Sequence, residues 1–349
     1  MEKEKRTYWQ AIRGICILAV VLIHSFIGFQ YVDGRDTVFI FIRQLINFAV
    51  PIFIFMAGYF VNPDKIMADD FQYKKWLINR GGGRLLIPFV IWSIFYSVIS
   101  ILQAIRKQQE INWVGVVGRF IIGKSATPFY YIVVLFQFTI ITPWLLKIVK
   151  QKGKTEKLLW LITPAYLVYI YFYNFTHGNS PTFYEVLFPA WFGFYYLGIQ
   201  VKCGRIMGNS ASVSLRRKVL WVIGAFVFSC VEALLLRNCG MSRGFYVSQI
   251  TVGSFLYSFA LIGLICNYKK RIGCYLSKVG DCSYGIFYIH MFVLMFAGKI
   301  EESLNVLGGW IAYWGIRFVF TSIVSYAIVR LSQIVLSGHR KELRWLGFV

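Results

Sequence analysis

Charged residues are scarce in this sequence. Asp, Glu, Lys and Arg make up 15% of the 349 residues, whereas 58% are hydrophobic. A soluble domain carries about a quarter charged residues, so the composition excludes an ordinary soluble enzyme and indicates a polytopic membrane protein. Acidic residues are rarer than basic ones, which leaves a formal net charge of +22. What this excess means depends on where it lies in the chain.

Metal-binding patterns and long polar segments are also lacking. The four histidines are far apart, and no two of the seven cysteines form a CxxC pair, so we expect neither a metal centre nor a disulfide framework. The longest loops, 62–84 and 106–128, are about twenty residues each, too short to fold alone. We therefore predict a single transmembrane domain over residues 1–349.

Apolar runs of membrane-spanning length recur along the whole chain. The first is expected to be a retained span, because it is long for a signal peptide and has no small-x-small cleavage site. Together the runs predict an all-α fold of about ten transmembrane helices. Their approximate ranges are 8–30, 38–61, 85–105, 129–149, 158–176, 185–202, 218–237, 246–267, 282–298 and 309–336.

Lysine and arginine concentrate in alternate loops. They are dense at the N-terminus, after the second, fourth, sixth and eighth runs and in the C-terminal tail, and sparse in the other loops. The positive-inside rule therefore predicts that both termini are cytoplasmic. Because the basic excess follows topology, no nucleic-acid partner is expected.

The first run contains two titratable residues, Arg13 and His24, that are unusual at membrane depth. Such groups are costly there and mark candidate functional sites. Eleven residues at about 100° each return to the same helix face and advance roughly 16 Å along the axis. The helix could hold an anion at one end and a reactive imidazole toward the other. Alternatively, Arg13 snorkels to the headgroups and His24 makes an interhelical hydrogen bond.

Two further motifs carry residue types suited to binding and catalysis. Arg80-Gly-Gly-Gly-Arg84, at the cytoplasmic mouth of the third run, combines exposed amides, a helix N-terminus and forked donors that suit phosphate. Anchoring by positive-inside arginines would explain it as well. Ser283 and Tyr284 shortly precede a second in-membrane histidine, His290, which interhelical packing would also explain.

The second run is marked by a proline, a glycine and an arginine. Pro51 frees a backbone carbonyl, and Gly58 allows another helix to approach closely. Arg43 lies near the outer end of the run, where it either snorkels or belongs to a substrate site.

In this order, the motifs resemble those of the acyltransferase 3 family of bacterial membrane proteins. The family's arginine and histidine, separated by ten residues, are matched by Arg13 and His24. The usual His-Leu-Trp-Phe-Leu opening of a middle span differs here, where the chain reads Pro128-Phe129-Tyr130-Tyr131-Ile132. The other family motifs are similar to Val50–Phe60, to Arg80–Phe89, and to Ser283-Tyr284 followed by His290.

The resemblance implies a ten-span enzyme of the bacterial plasma membrane. Such enzymes move an acyl group, often acetyl, from cytoplasmic acyl-CoA to a hydroxyl of an extracytoplasmic polysaccharide or lipid-linked glycan precursor. The expected surroundings are the lipid bilayer and, as further partners, other glycan-synthesis proteins.

Residues and resemblance together assign roles. Arg13, Arg80 and Arg84 are expected to hold the acyl-CoA phosphates. His24 is expected to act as general base, and Arg13 is counted with it as a catalytic residue. Five further residues are candidates for binding the acceptor or stabilising the oxyanion: His290, Ser283, Tyr284, Tyr131 and Arg43.

Two rival functions stay open at this stage. A transporter of a glycan or lipid-linked precursor would also contain buried charges and proline-broken helices, although no inverted repeat is visible. A non-catalytic partner in a glycan-synthesis complex would not need Arg13 and His24 on one face.

Overall fold

All regular structure in the described residues is helical. The structure is a computed structural model that describes residues 2–26, 36–206, 213–268, 274–304 and 310–348. No β-strand occurs within these ranges, which confirms the predicted all-α class.

The helices are numbered in chain order. The first nine are α1 (Glu2–Ser25), α2 (Asp36–Ile46), α3 (Ala49–Tyr59), α4 (Pro63–Ile66), α5 (Tyr73–Leu77), α6 (Ile87–Arg106), α7 (Trp113–Ile121), α8 (Tyr130–Gln151) and α9 (Lys154–Leu158). The rest are α10 (Ile162–His177), α11 (Phe192–Lys202), α12 (Leu215–Asn238), α13 (Arg243–Tyr246), α14 (Val252–Asn267), α15 (Cys274–Asp281), α16 (Ser283–Leu304), α17 (Trp310–Val335) and α18 (Arg340–Trp345). A π-helix, Ile78–Leu86, leads into α6.

The long apolar helices confirm a multi-pass membrane protein. Seven helices among the described residues are long and apolar enough to cross a membrane, or eight if a bent pair is counted as one span. That pair, Tyr275–Asp281 with Ser283–Gly298, bends by 79°. The predicted spans 185–202 and 246–267 contain only the shorter helices α11 and α14. Helix length alone therefore does not fix the number of crossings.

The chain forms two compact units, each assembled from segments far apart in sequence. The first unit comprises Met1–Gln30, Asn79–Ile132 and Arg271–Val349. The second comprises Tyr31–Ile78 and Val133–Lys270.

Close backbone packing between α1 and α15 organises the first unit. A Cβ atom at Gly14 would collide with the carbonyl of Leu276, and one at Gly280 would collide with the carbonyl of Gln10. Small residues of this kind let membrane helices approach to backbone contact. Helices α16 and α17 complete this bundle, since each packs against α1 and against the other.

Aromatic side chains hold α6 against α16 in the same unit. Trp92 stacks on Tyr288 with ring centroids 6.1 Å apart. The hydroxyl of buried Tyr96 donates to the Tyr288 carbonyl at 2.8 Å and accepts from the Phe292 amide at 3.0 Å. An α-helix normally joins these two backbone groups directly, so Tyr96 is inserted into the hydrogen-bond ladder of α16.

In the second unit, α2 and α3 are separated by a short break. Pro51 has no N–H to donate to the carbonyl of Asn47, four residues earlier, and the helix is interrupted at that point. The side-chain Nδ2 of Asn47, at this break, donates to the Val247 and Ser248 carbonyl oxygens at 3.2 Å each. Gly58 lies against the Tyr195 carbonyl of α11, as its small size predicts.

Candidate functional site

Two polar clusters lie in the first unit, and α1 contributes one residue to each. Arg13 and His24 occupy the same uninterrupted helix, α1. Both are half-buried. Their separation along the axis is therefore roughly 16 Å, as the sequence predicts.

The first cluster surrounds Arg13. Its Nη1 donates to Gln10 Oε1 at 3.2 Å. The guanidinium also interacts electrostatically with Tyr131 and Asp281. Asp281 is the last residue of α15, and the glycine before it lets α15 approach α1. Our sequence reasoning gave Asp281 no role, although its position two residues before Ser283 was a usable signal.

Tyr284 joins this cluster to the glycine-rich motif. Its hydroxyl donates to the Arg84 carbonyl at 2.9 Å and lies 3.0 Å from the hydroxyl of Tyr288. Tyr131 lies near both Arg13 and Tyr284. The structure therefore brings together residues from three of the sequence motifs.

The glycine-rich motif forms a π-helix, which we did not predict from sequence. Arg80 is half-buried and Arg84 is exposed. A Cβ atom built on Gly82 would have no atom of the described residues within 4 Å. Space beside the backbone is thus open between the two arginines. π-Helical segments are rare and occur often at functional sites.

The second cluster is a pair of histidines. His24, in the last turn of α1, and His290, on α16, have ring centroids 5.4 Å apart with an interplanar angle of 41°. His290 is fully buried. Residues from opposite ends of the sequence thus meet inside one helical bundle.

His290 is held by its own helix. Its Nδ1 lies 3.0 Å from the carbonyl oxygen of Ile286. Its Nε2 is buried and makes no hydrogen bond to any residue that the structure describes. The Tyr96 hydroxyl bonds the backbone of α16 on both sides of His290, at the Tyr288 carbonyl and the Phe292 amide.

Helix α16 connects the two clusters. Ser283, its first residue, is buried. From Tyr284 to His290 the helix advances about 9 Å. Between them Phe287 packs against Tyr131, with ring centroids 5.6 Å apart. Aromatic rings therefore lie between the Arg13 cluster and the histidine pair.

Arg43 is the one predicted site residue that belongs to the second unit. Its Nη2 donates to the Val247 carbonyl at 3.3 Å. Two residues nearby, Gln44 and Asn47, are fully buried and hydrogen-bonded to each other. Arg43 therefore borders a polar network at the break between α2 and α3.

The described residues contain no group of three His, Cys, Asp or Glu side chains that could hold a metal ion.

Comparison with known proteins identifies one related family. A family model described as an acyltransferase domain matches residues 6–330, nearly the whole chain and all of the motifs above. Neither a curated protein nor a solved structure matches the chain.

Proposed function

The chain belongs to the acyltransferase 3 family, and on this premise we propose that it is a membrane O-acyltransferase that uses acyl-CoA. The acyl group, most often acetyl in such enzymes, moves to a hydroxyl of an extracytoplasmic polysaccharide or lipid-linked glycan precursor. The proposed location is the bacterial plasma membrane, where other glycan-synthesis proteins are its natural partners.

The surroundings of Arg13 support the binding of the acyl-CoA phosphates. Arg13, Arg80 and Arg84 lie in the same unit. Tyr284 donates to the Arg84 carbonyl and lies near Tyr131, which in turn lies near Arg13. Arg80 and Arg84 supply forked donors that suit phosphate oxygens. The open space at Gly82 leaves room for a ligand between them. Asp281 offsets part of the positive charge of Arg13, so we assign most of the phosphate binding to Arg80 and Arg84.

The length of acyl-CoA agrees with the spacing of the two clusters. Its pantetheine arm has about as many chain bonds as four residues of extended polypeptide, or roughly 14 Å. Arg13 and His24 are roughly 16 Å apart along α1. Phosphates held at the Arg13 end would therefore bring the thioester close to the histidine pair.

At that end, His24 acts as general base. Its imidazole removes the proton of the acceptor hydroxyl while the hydroxyl oxygen attacks the thioester carbonyl carbon. The C–S bond then breaks, and the thiolate of CoA takes the proton from His24. General base catalysis contributes about 10²–10⁴-fold, and the remaining rate comes from holding the two substrates together and stabilising the oxyanion.

The observation that carries this proposal is the pair of facing imidazoles, His24 and His290, on the helix that also contains Arg13. The test is equilibrium binding of acetyl-CoA to purified protein, followed by transfer of labelled acetyl groups to glycan in membrane vesicles. We expect Arg84→Ala to lose binding. We expect His24→Ala to bind acetyl-CoA normally and to transfer no acetyl.

Arg216→Ala is the matched control, because Arg216 is an exposed arginine at the start of another helix, α12. It should bind acetyl-CoA like wild type. Substantial transfer by His24→Ala would remove this residue from the general-base role. Failure of well-folded wild type to bind acetyl-CoA would refute acyl-CoA as the donor.

Transport is the second candidate function, and one observation favours it. Helices α15 and α16 meet at a bend of 79° within one candidate span. Discontinuous helices are typical of transporters. Movement of an unmodified glycan across vesicles without CoA would support this function, whereas acetylation that depends on acetyl-CoA would support the enzyme.

A further inference from the structure

His290 contains a buried polar atom that no residue described by the structure satisfies. Its side chain is fully buried, and Nε2 has no hydrogen-bond partner among the described residues. Leaving such a group unsatisfied costs about 1–3 kcal/mol. A simple packing residue would not need this atom, so Nε2 calls for a functional explanation.

The partner of Nδ1 determines which ring nitrogen carries the proton. Nδ1 lies 3.0 Å from the Ile286 carbonyl oxygen. A carbonyl oxygen only accepts hydrogen bonds, so Nδ1 must donate and carries the hydrogen. A neutral imidazole has one N–H, and Nε2 therefore presents a lone pair. His290 is thus an acceptor at Nε2 and cannot donate to an oxyanion from that atom.

The nearest ring is that of His24. Two imidazoles joined by an N–H···N bond of about 3 Å have centroids about 5 Å apart. The observed separation of 5.4 Å is close to this value, so the rings are near enough for such a bond when a His24 nitrogen turns toward Nε2. The Ile286 contact holds the His290 ring, and the Tyr96 hydroxyl bonds the α16 backbone at Tyr288 and Phe292, two residues before and after it.

We propose that His290 is a positioning residue that accepts a hydrogen bond from His24 and thereby selects the reactive nitrogen of His24. This inference rests on the proposed acyl transfer. When one nitrogen of His24 donates to His290, its other nitrogen holds the lone pair that removes the acceptor's proton. The same contact stabilises the His24 imidazolium once the proton has moved. A third group that orients the base is a recurring feature of such catalysis.

Two substitutions separate the two nitrogens of His290. His290→Gln places an amide oxygen near the position of Nε2 and can still accept from His24. His290→Asn keeps an N–H near the position of Nδ1, where it can bond the Ile286 carbonyl, and loses the acceptor at Nε2. The assay is acetyl transfer from acetyl-CoA by the full-length protein in vesicles, with kcat and KM measured separately.

We expect His290→Asn to lower kcat by about 100-fold or more while the KM for acetyl-CoA stays within about threefold of wild type. His290→Gln should retain kcat within about tenfold of wild type. Equal losses in both variants would point to packing and overturn the proposal, and so would full activity in both. Loss in His290→Asn together with activity in His24→Ala would make His290 the base, which also overturns it.

A spectroscopic readout judges the inference independently of activity. The chain has four histidines, so 15N NMR of histidine-labelled protein in nanodiscs can be assigned by comparing wild type with His290→Gln. We expect the His290 signals to show a protonated Nδ1 and an unprotonated Nε2. A protonated Nε2 would overturn the proposal, whereas absence of acetyl transfer by wild type would refute the proposed function alone.

Discussion

Alanine at Gly280 tests the contact that brings α15 against α1. In a helix, glycine-to-alanine substitution by itself stabilises by up to about 1 kcal/mol. At Gly280 the new Cβ would overlap the carbonyl of Gln10. That carbonyl belongs to the backbone of α1 and cannot rotate away as a side chain would, so one of the helices must shift. Overpacking of this kind costs about 1–3 kcal/mol.

Gly224, on α12, provides the matched control. A Cβ atom there would have no atom of the described residues within 4 Å. Gly224→Ala should therefore gain the stabilisation that comes from the higher helix propensity of alanine, with no steric cost. Because the propensity gain is common to both variants, they are expected to differ by the overpacking cost alone, about 1–3 kcal/mol in the free energy of unfolding. The corresponding difference in melting temperature is on the order of 5 °C.

The assay is thermal unfolding of both variants in detergent, followed by fluorescence-detected size exclusion. Gly280→Ala should melt below wild type and Gly224→Ala at or above it. Because Asp281 follows Gly280 and interacts with Arg13, acetyl-CoA binding should also weaken in Gly280→Ala. A Gly280→Ala protein that melts at or above wild type would refute the idea that this backbone contact stabilises the first unit.

Two further predictions concern the proposed phosphate site. Gly82→Val fills space that no atom of the described residues occupies, so it should leave the melting temperature unchanged and weaken acetyl-CoA binding about tenfold or more. Gly224→Val is the control. Normal acetyl-CoA binding by Gly82→Val would exclude the ligand from this space. Tyr284→Phe removes the hydrogen bond to the Arg84 carbonyl, worth about 0.5–1.5 kcal/mol, and should raise the Kd for acetyl-CoA up to about tenfold. Tyr275→Phe, at an 83% exposed position, should have no effect, and equal effects of the two tyrosine changes would count against a role for Tyr284.

Local patterns were sufficient to predict much of the fold. Helix α1 is continuous because nothing between Arg13 and His24 interrupts a helix, and the spacing of these residues then follows from helix geometry. Pro51 likewise marks a break, because a missing N–H acts on the carbonyl four residues earlier. The bend between α15 and α16 has no comparable local signal, since no proline lies near Cys282.

The candidate site was only partly predictable, for a different reason. The motifs with Arg13, with Arg84 and with Tyr284 were each visible, but their association depends on contacts between residues far apart in the chain. The role of Asp281 beside Arg13 depends on how closely Gly280 lets two backbones approach.

The sequence by itself determined that this protein is a helical membrane protein whose motifs resemble those of an acyltransferase family, because hydrophobic length, charge distribution and motif order are properties of local chain chemistry. Only the tertiary structure decided that His24 faces His290 and that the Nε2 of His290 is left to accept a hydrogen bond. Both facts arise from the packing of α1 against α16. Packing joins residues by shape and by hydrogen-bond geometry, and neither can be read from their distance along the chain.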